Sequence, residues 1–191
     1  MKALPVPLPP SLEGLGRSTL VGRIPSPDGR TRPRDVASLL FTLLATVPEM
    51  VRLLPDYANS YVGRRRIDPH LRERVQLRIA RLNACVTCST IHTALAVAEG
   101  MPACDVRAME PDAFDAQSYP DDVQAALRLA THLATHGRLA DASVLSDLRA
   151  HFPDWAVRQI FAAARVICWT NRFNRTWEGV LAWAERTDQR P

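Results

Sequence analysis

The segment LNACVTCSTIHTALA, residues 82–96, carries two cysteines and a histidine at spacings that permit chemistry. Cys85 and Cys88 are three positions apart, and His92 follows Cys88 by four. On a helix, these three side chains lie along one stripe. If the helix begins near Cys85, its unpaired N–H groups stabilise a thiolate there, and His92 can take a proton from Cys88. The pattern is suited to a reactive dithiol, and its alternatives are a metal site and plain helix core.

Glu73, twelve positions before Cys85, admits two interpretations. In one continuous helix the two residues would be about 18 Å apart, which is too far for contact. A break at Asn83 would instead fold Glu73 back toward the thiols, because asparagine tolerates turns. Arginines also surround Glu73 on its own segment. From spacing alone, a solvated and ion-paired face is the favoured interpretation.

A zinc site is the main chemical alternative, since the cysteine pair, His92 and Glu73 together supply a tetrahedral set by residue type. Zinc sites built from cysteines usually take a second pair from elsewhere, and the chain has no second Cys-x-x-Cys. His132 and His136 are four positions apart, but on LATHLATHG we expect them to face solvent. We therefore expect neither a bound metal nor an organic cofactor.

The elements that must position these residues all have helical patterns. Asp68-Pro69 supplies an N-cap and a proline at the first helical position. Gly100 and Gly137 follow apolar-periodic segments as C-terminal stop signals. The predicted helices cover residues 35–54, 69–82, 85–99, 121–137 and 141–150, and a long last one begins at Pro153. No segment alternates with period two for long, so the predicted fold class is all-α.

The first 33 residues differ from the rest in composition. They hold seven of the 15 prolines and four of the eight glycines. Proline removes backbone donors and restricts its predecessor, so a regular helix is excluded there. We predict a proline- and glycine-rich arm over residues 1–33, either extended over a neighbouring subunit or loosely ordered, followed by one helical domain over residues 34–187.

Composition limits the functional classes. The chain has 191 residues, 47% of them hydrophobic and 23% charged, which is a balance typical of a globular protein. The net charge of +4 is scattered, and the single run Arg64-Arg65-Arg66 is interpreted as a solvated loop, so we expect no nucleic-acid partner.

The most apolar window, residues 36–54, is interrupted by Pro48, Glu49 and Arg52, so we expect no membrane span. A cytoplasmic location is expected, where a close cysteine pair favours redox or metal chemistry.

The stretch ERVQLRIARLNACVTCSTIHTALA resembles the core motif of the carboxymuconolactone decarboxylase superfamily, in its AhpD-like alkylhydroperoxidase branch. That motif is Glu, eleven residues, Cys-x-x-Cys, three residues, His, and it is met by Glu73, Cys85, Cys88 and His92. WTNRFNRTWE, residues 169–178, is similar to the asparagine-rich helix that closes this fold. The resemblance covers roughly residues 35–185.

This resemblance implies an AhpD-like helical fold assembled as a homo-oligomer, commonly a trimer or hexamer. It also implies a peroxide substrate and a dithiol or protein reductant whose identity the sequence does not give. Cys88 would attack the peroxide and Cys85 would resolve the product as a disulfide, while His92 and Glu73 relay protons. The best-known peroxidases of this branch carry a histidine between the two cysteines, where this chain has Thr87.

The predicted function is therefore a thiol-dependent peroxidase with Glu73, Cys85, Cys88 and His92 as its catalytic residues. Two alternatives remain: a non-enzymatic redox sensor or assembly protein, and an enzyme like the carboxymuconolactone decarboxylases. Cys104 and Cys168 are interpreted as small core residues. The four tryptophans are interpreted as core or subunit-contact residues. Asn171 and Asn174 are interpreted as satisfying buried backbone groups.

Overall fold

The computed structural model describes residues 33–137 and 141–188, and within them the regular structure is helical, with no strand. The α-helices are α1 (Pro33–Val62), α2 (Pro69–Leu82), α3 (Val86–Ala98), α4 (Ala103–Arg107), α5 (Asp121–His136), α6 (Ala142–His151) and α7 (Asp154–Asp188). The all-α prediction is confirmed. The arm predicted for residues 1–33 lies outside the described residues except for Pro33, so the proposed domain boundary stays a prediction.

Local signals explain where several helices begin and end. The Asp68 side chain accepts the Leu71 backbone N–H at 2.8 Å, and Pro69 follows at the first helical position, so the N-cap predicted for α2 is confirmed. Gly137 ends α5 in a left-handed conformation with φ 62°. Gly100, with φ 83°, follows α3 in the same way. At these boundaries, residues adjacent in sequence decide the structure.

Helix α1 is longer than its predicted range of residues 35–54. It continues through Pro48 and Pro55 to Val62, although each proline removes one backbone hydrogen bond. The helix packs mainly against α7, and at its end the Tyr61 hydroxyl donates to Gln76 Oε1 on α2 at 2.8 Å. Two short elements were not predicted: α4 and a 3₁₀ turn at Ala116–Ser118 are too short to show helical periodicity.

Helix α2 is the centre of the fold, because α3, α5 and α7 all pack against it, and α1 runs along α7. The main core gathers apolar side chains from α2, α3, α5, α6 and α7. It contains one face of α7: Val157, Ile160, Ala164, Ile167 and Cys168 are buried there, and Phe161 packs against them. A smaller core around Met109 fills the space beside α4.

An ion pair fixes α1 against α7. The guanidinium of Arg165 donates through Nε and Nη2 to the two carboxylate oxygens of Glu49, both at 2.8 Å. Both side chains are largely buried, so this bidentate geometry compensates two desolvated charges. The pair holds α7 against α1. This contact bears on the cysteine pair, because α7 also reaches it.

Several single-residue predictions can be compared with the structure. Cys168 is buried as predicted, whereas Cys104 is exposed, so its assignment to the core is wrong. Cys104 lies on α4, which is only one and a half turns long and does not bury this position. Trp155 packs against the main core, while Trp177 is exposed. The arginine run at residues 64–66 is an exposed loop, as predicted.

Candidate thiol site

The turn between α2 and α3 brings the cysteines back over α2. After Leu82, the Cys85 N–H donates to the Ala80 carbonyl at 2.9 Å, and the Ala84 N–H donates to the Arg81 carbonyl at 3.0 Å. These two bonds form a Schellman motif, which needs a left-handed residue at the position of Ala84. Ala84 has φ 50°, although glycine is the usual residue there. The predicted break between the two helices is thus confirmed.

Cys85 is the N-cap of α3, and Cys88 lies in its first turn. The Cys88 backbone N–H donates to Cys85 Sγ at 3.3 Å, so the helix N-terminus acts on this sulphur as expected. The two residues form a disulfide with their Cα atoms 5.4 Å apart, within the usual range for such bonds. Both are buried in the main core, while the neighbouring Val86 and Thr87 are exposed.

Glu73 and His92 are joined by a buried hydrogen bond of 2.9 Å between Glu73 Oε2 and His92 Nδ1. A carboxylate can only accept, so Nδ1 carries the proton in this bond; in any neutral imidazole with a protonated Nδ1, Nε2 is the acceptor nitrogen. Glu73 is fully buried and His92 is 6% exposed. The interpretation of Glu73 as part of a solvated face is therefore wrong, because α2 turns this side chain inward, where α3 packs on it.

Arg72 compensates the buried charge of Glu73. Its Nε donates to Glu73 Oε1 at 2.8 Å, so each carboxylate oxygen has its own partner. The guanidinium also donates to the Ser60 carbonyl at 2.7 Å and to Glu99 Oε1 at 3.3 Å. It lies over the ring of Tyr61, 3.7 Å from the centroid. Arg72 is only 1% exposed, so these contacts fix both the position and the charge balance of the carboxylate.

A tyrosine pair closes this side of the site. Tyr61 donates to Gln76 Oε1, and its hydroxyl lies 3.4 Å from that of Tyr57. Burial first, and then the hydrogen bond with Tyr57, raise the pKa of Tyr61 above its ordinary value. Tyr61 is therefore a neutral phenol near pH 7, and it serves as a hydrogen-bond donor and as a surface for Arg72.

Helix α7 contributes the residues that the sequence interpretation assigned to backbone support. Asn171 Nδ2 donates to the Ile79 carbonyl at 3.4 Å, which confirms that prediction for Asn171. Asn174 is different, because its Nδ2 lies 3.3 Å from Cys88 Sγ and 4.0 Å from Cys85 Sγ. Arg175 donates to the Asn83 carbonyl at 2.7 Å. The i, i+3, i+4 spacing of these three residues is the sequence signal that could have indicated a shared role.

Other candidate sites are weaker. In the part of the chain that the structure describes, no group of three or more His, Cys, Asp or Glu side chains could hold a metal ion. The rings of His132 and His136 stack 4.5 Å apart, with His136 exposed and His132 half-buried. Over residues 33–137 and 141–188, no helix is both long and apolar enough to cross a membrane.

Comparison with known proteins agrees with this architecture. Residues 48–132 match the model of the Carboxymuconolactone decarboxylase family, and this segment contains Glu73, Cys85, Cys88 and His92. No curated protein sequence matches the chain significantly. A solved structure from Agrobacterium tumefaciens, of a protein of unknown function provisionally named as the antioxidant defence protein AhpD, is similar with a TM-score of 0.54.

That similarity covers 66% of this chain and 83% of the Agrobacterium chain at 20% sequence identity, so it concerns the fold. It is nevertheless independent of the family match, which rests on sequence. Residues 48–132 are therefore similar to the Carboxymuconolactone decarboxylase family, and the described helices have an AhpD-like fold.

Proposed function

We propose that this protein is a thiol-dependent peroxidase that reduces peroxides through Cys85 and Cys88. The observation that carries the proposal is the buried Glu73–His92 hydrogen bond next to a cysteine pair at a helix N-terminus. The stability of the fold alone does not explain why a buried, charge-compensated acid–base pair lies one helical turn from a disulfide. The provisional antioxidant name of the Agrobacterium protein points in the same direction.

In the first step, the Cys88 thiolate attacks the nearer oxygen of the peroxide O–O bond. A sulphur–oxygen bond forms, the O–O bond breaks, and the sulphur loses two electrons to become a sulfenic acid. The leaving alkoxide takes a proton and departs as an alcohol. His92 is one helical turn from Cys88, and its Nε2 would first accept the thiol proton and then supply it.

In the second step, the Cys85 thiolate attacks Cys88 Sγ. The sulphur–oxygen bond breaks, hydroxide leaves as water after protonation, and the disulfide forms. The sum is peroxide plus two thiols giving alcohol, water and one disulfide. An external dithiol or protein reductant then restores both thiols by exchange. This cycle suits a cytoplasmic protein, because that compartment holds a reducing thiol pool.

Glu73 orients the ring of His92 and stabilises the imidazolium that forms when Nε2 takes a proton. Thr87 stands where the best-known peroxidases of the branch have a second histidine, and its hydroxyl is not a base near pH 7. In this chain, proton transfer therefore depends on His92.

The proposal includes a homo-oligomer. Large apolar side chains on α3 and α7 are exposed: Val86 at 74%, Ile91 at 52%, Val97 at 59% and Trp177 at 54%. Exposed apolar surface of this kind is typical of protein–protein contact. Because α3 carries the cysteine pair, a partner subunit on this face would lie close to the thiols.

Peroxide consumption in the presence of dithiothreitol tests the activity. We expect many turnovers per chain with hydrogen peroxide or an organic hydroperoxide, and mass measurement should show the Cys85–Cys88 disulfide after the reductant is exhausted. Cys88→Ser should abolish turnover, whereas Cys104→Ser, at an exposed cysteine on α4, should leave it unchanged. Oxidation of one equivalent without turnover would instead indicate a redox sensor.

A further inference from the structure

The side-chain amide of Asn174 is the one polar group from α7 that the structure puts on the cysteine sulphurs within the described residues. Its Nδ2 is 3.3 Å from Cys88 Sγ and 4.0 Å from Cys85 Sγ. The two cysteines lie 86 and 89 positions earlier in the chain, so this contact depends on the packing of α7 against α3. Neither the superfamily match nor the sequence motif includes Asn174, since the match ends at residue 132.

The two sulphurs have different donors. Cys85 Sγ accepts the backbone N–H of Cys88 at 3.3 Å, which is a fixed feature of the helix N-terminus. The side-chain donor, Asn174 Nδ2, lies closer to Cys88 Sγ than to Cys85 Sγ. Donors at a helix N-terminus therefore stabilise a thiolate on Cys85, and a second donor is needed if Cys88 is to compete for the negative charge.

We propose that Asn174 donates a hydrogen bond to the thiolate of Cys88 in the reduced protein and thereby makes Cys88 the attacking thiol. This deepens the proposed function and rests on it for its biological meaning. A hydrogen bond to an ionised group is stronger than one to a neutral group, so the amide stabilises thiolate more than thiol or disulfide. This hydrogen bond would also explain how Cys88 can be the attacking thiol, although the electrostatics of the helix N-terminus favour a thiolate on Cys85.

The neighbours of Asn174 on α7 make hydrogen bonds of their own, separate from the Asn174 amide. Asn171 and Arg175 donate to the carbonyls of Ile79 and Asn83 at the end of α2. These bonds tie α7 to the residues immediately before Cys85. Asn174 itself is half-buried, so replacing it does not open the main core.

The test is the pH dependence of iodoacetamide alkylation in the fully reduced, full-length protein. Mass spectrometry with peptide fragmentation gives the rate at each cysteine, and the exposed Cys104 serves as an internal reference. At pH values below the midpoint of thiolate formation at Cys88, we expect the alkylation rate of Cys88 in Asn174→Ala to be about tenfold lower than in the wild type. This is the scale of a lost hydrogen bond to a charged group. In Asn174→Asp, which keeps the shape but puts a negative charge beside the sulphur, the rate should fall further.

Arg175→Met is the matched control, because it removes an α7 contact with the same turn but leaves the amide on the sulphur. Its Cys88 rate should stay close to that of the wild type. An unchanged Cys88 rate in Asn174→Ala, equal rates in the Ala and Asp variants, or the same loss in Arg175→Met would overturn the proposal. If Asn174→Ala fails to fold, Asn174→Leu, which removes the donor but keeps the size of the side chain and adds no charge, provides the same comparison. The readout needs no turnover, so its failure is distinct from a failure of the peroxidase proposal.

Discussion

Glu73 and His92, nineteen positions apart in the sequence, meet in the interior through a hydrogen bond of 2.9 Å between Oε2 and Nδ1. The bond exists because the chain reverses at Ala84, so that α3 packs back on α2. Arg72 occupies the other carboxylate oxygen, at 2.8 Å. The acid–base pair is thus held by the turn on one side and by the contacts of Arg72 on the other.

The left-handed residue in that turn gives the first prediction. An alanine at φ 50° is strained by about 1 kcal/mol or more, because its Cβ approaches the following carbonyl. Ala84→Gly should therefore raise the free energy of unfolding by about 0.5 to 1 kcal/mol, after allowing for the greater freedom of glycine in the unfolded chain. Denaturant titration of the reduced protein measures this change.

Ala94→Gly is the control for this substitution, since Ala94 is exposed within the same helix, α3. There glycine should lower the free energy of unfolding by about 0.5 to 1 kcal/mol, because the backbone is helical. Opposite signs for the two substitutions are expected. A loss of stability at both positions would mean that Ala84 is not strained in solution.

The buried thiol of Cys168 gives a pH-dependent prediction. Burial raises the pKa of Cys168 from 9.0 to about 11. Above pH 9 the unfolded chain loses this proton while the folded protein keeps it, so the folded state binds more protons and its stability falls as pH rises. The loss should develop between about pH 9 and pH 11 and reach about 2 to 3 kcal/mol at most.

Denaturant titrations between pH 8 and pH 11 should show this decrease in the wild type. Cys168→Ala removes the titrating group, so its stability should depend less on pH across the same range, although its cavity lowers the stability at every pH. The quantity compared is the slope of the unfolding free energy against pH. Equal slopes in both proteins would contradict the raised pKa of Cys168.

Helix boundaries could be predicted from sequence where the decisive groups are neighbours in the chain. The Asp68 cap and the stop at Gly137 are of this kind, as is the cysteine N-cap of α3. The burial of Glu73 could not be predicted in the same way, since it depends on α3 and on the contacts that hold Arg72. Asn174 reaches Cys88 across 86 positions, so only tertiary packing reveals it.

The burial of single residues and the length of α1 could also not be predicted from the sequence alone. A cysteine on an amphipathic pattern is usually buried, as Cys168 is, but Cys104 lies on a five-residue helix at the surface. The extension of α1 through Pro48 and Pro55 depends on its contacts with α2 and α7. In these cases the local pattern was compatible with two structures, and distant partners decided between them.

Assembly is the third prediction. The apolar side chains exposed on α3 and α7 lead us to expect a trimer or larger species by light scattering at micromolar concentration. Ile91→Asp changes an exposed residue on α3, so the fold of one chain should be unaffected while the assembly dissociates into smaller species. A wild-type monomer under these conditions would contradict the oligomer and leave the apolar face of α3 unexplained.

The last prediction concerns the relay itself. Glu73→Gln keeps the shape of the side chain but removes the charge that supports an imidazolium at His92. Turnover with peroxide should fall about 10²-fold or more, the usual scale of general acid–base catalysis. His92→Ala should give a similar loss, and the double variant should be little worse than either, because residues that act as one unit are not additive.

Stability gives this prediction a second readout. The sequence alone implied an exposed ion pair whose loss would cost almost nothing, but Glu73 is fully buried beside Arg72. Glu73→Gln leaves the Arg72 charge with only the partly exposed Glu99 as an acidic partner among the ion pairs described, so the free energy of unfolding should fall by about 1 to 3 kcal/mol. A stable Glu73→Gln protein with wild-type turnover would remove Glu73 from the relay and leave proton transfer to His92 alone. Lost turnover in a variant that is still folded at the assay temperature is the result that supports the relay, because a purely structural carboxylate would affect the unfolding free energy and spare the rate.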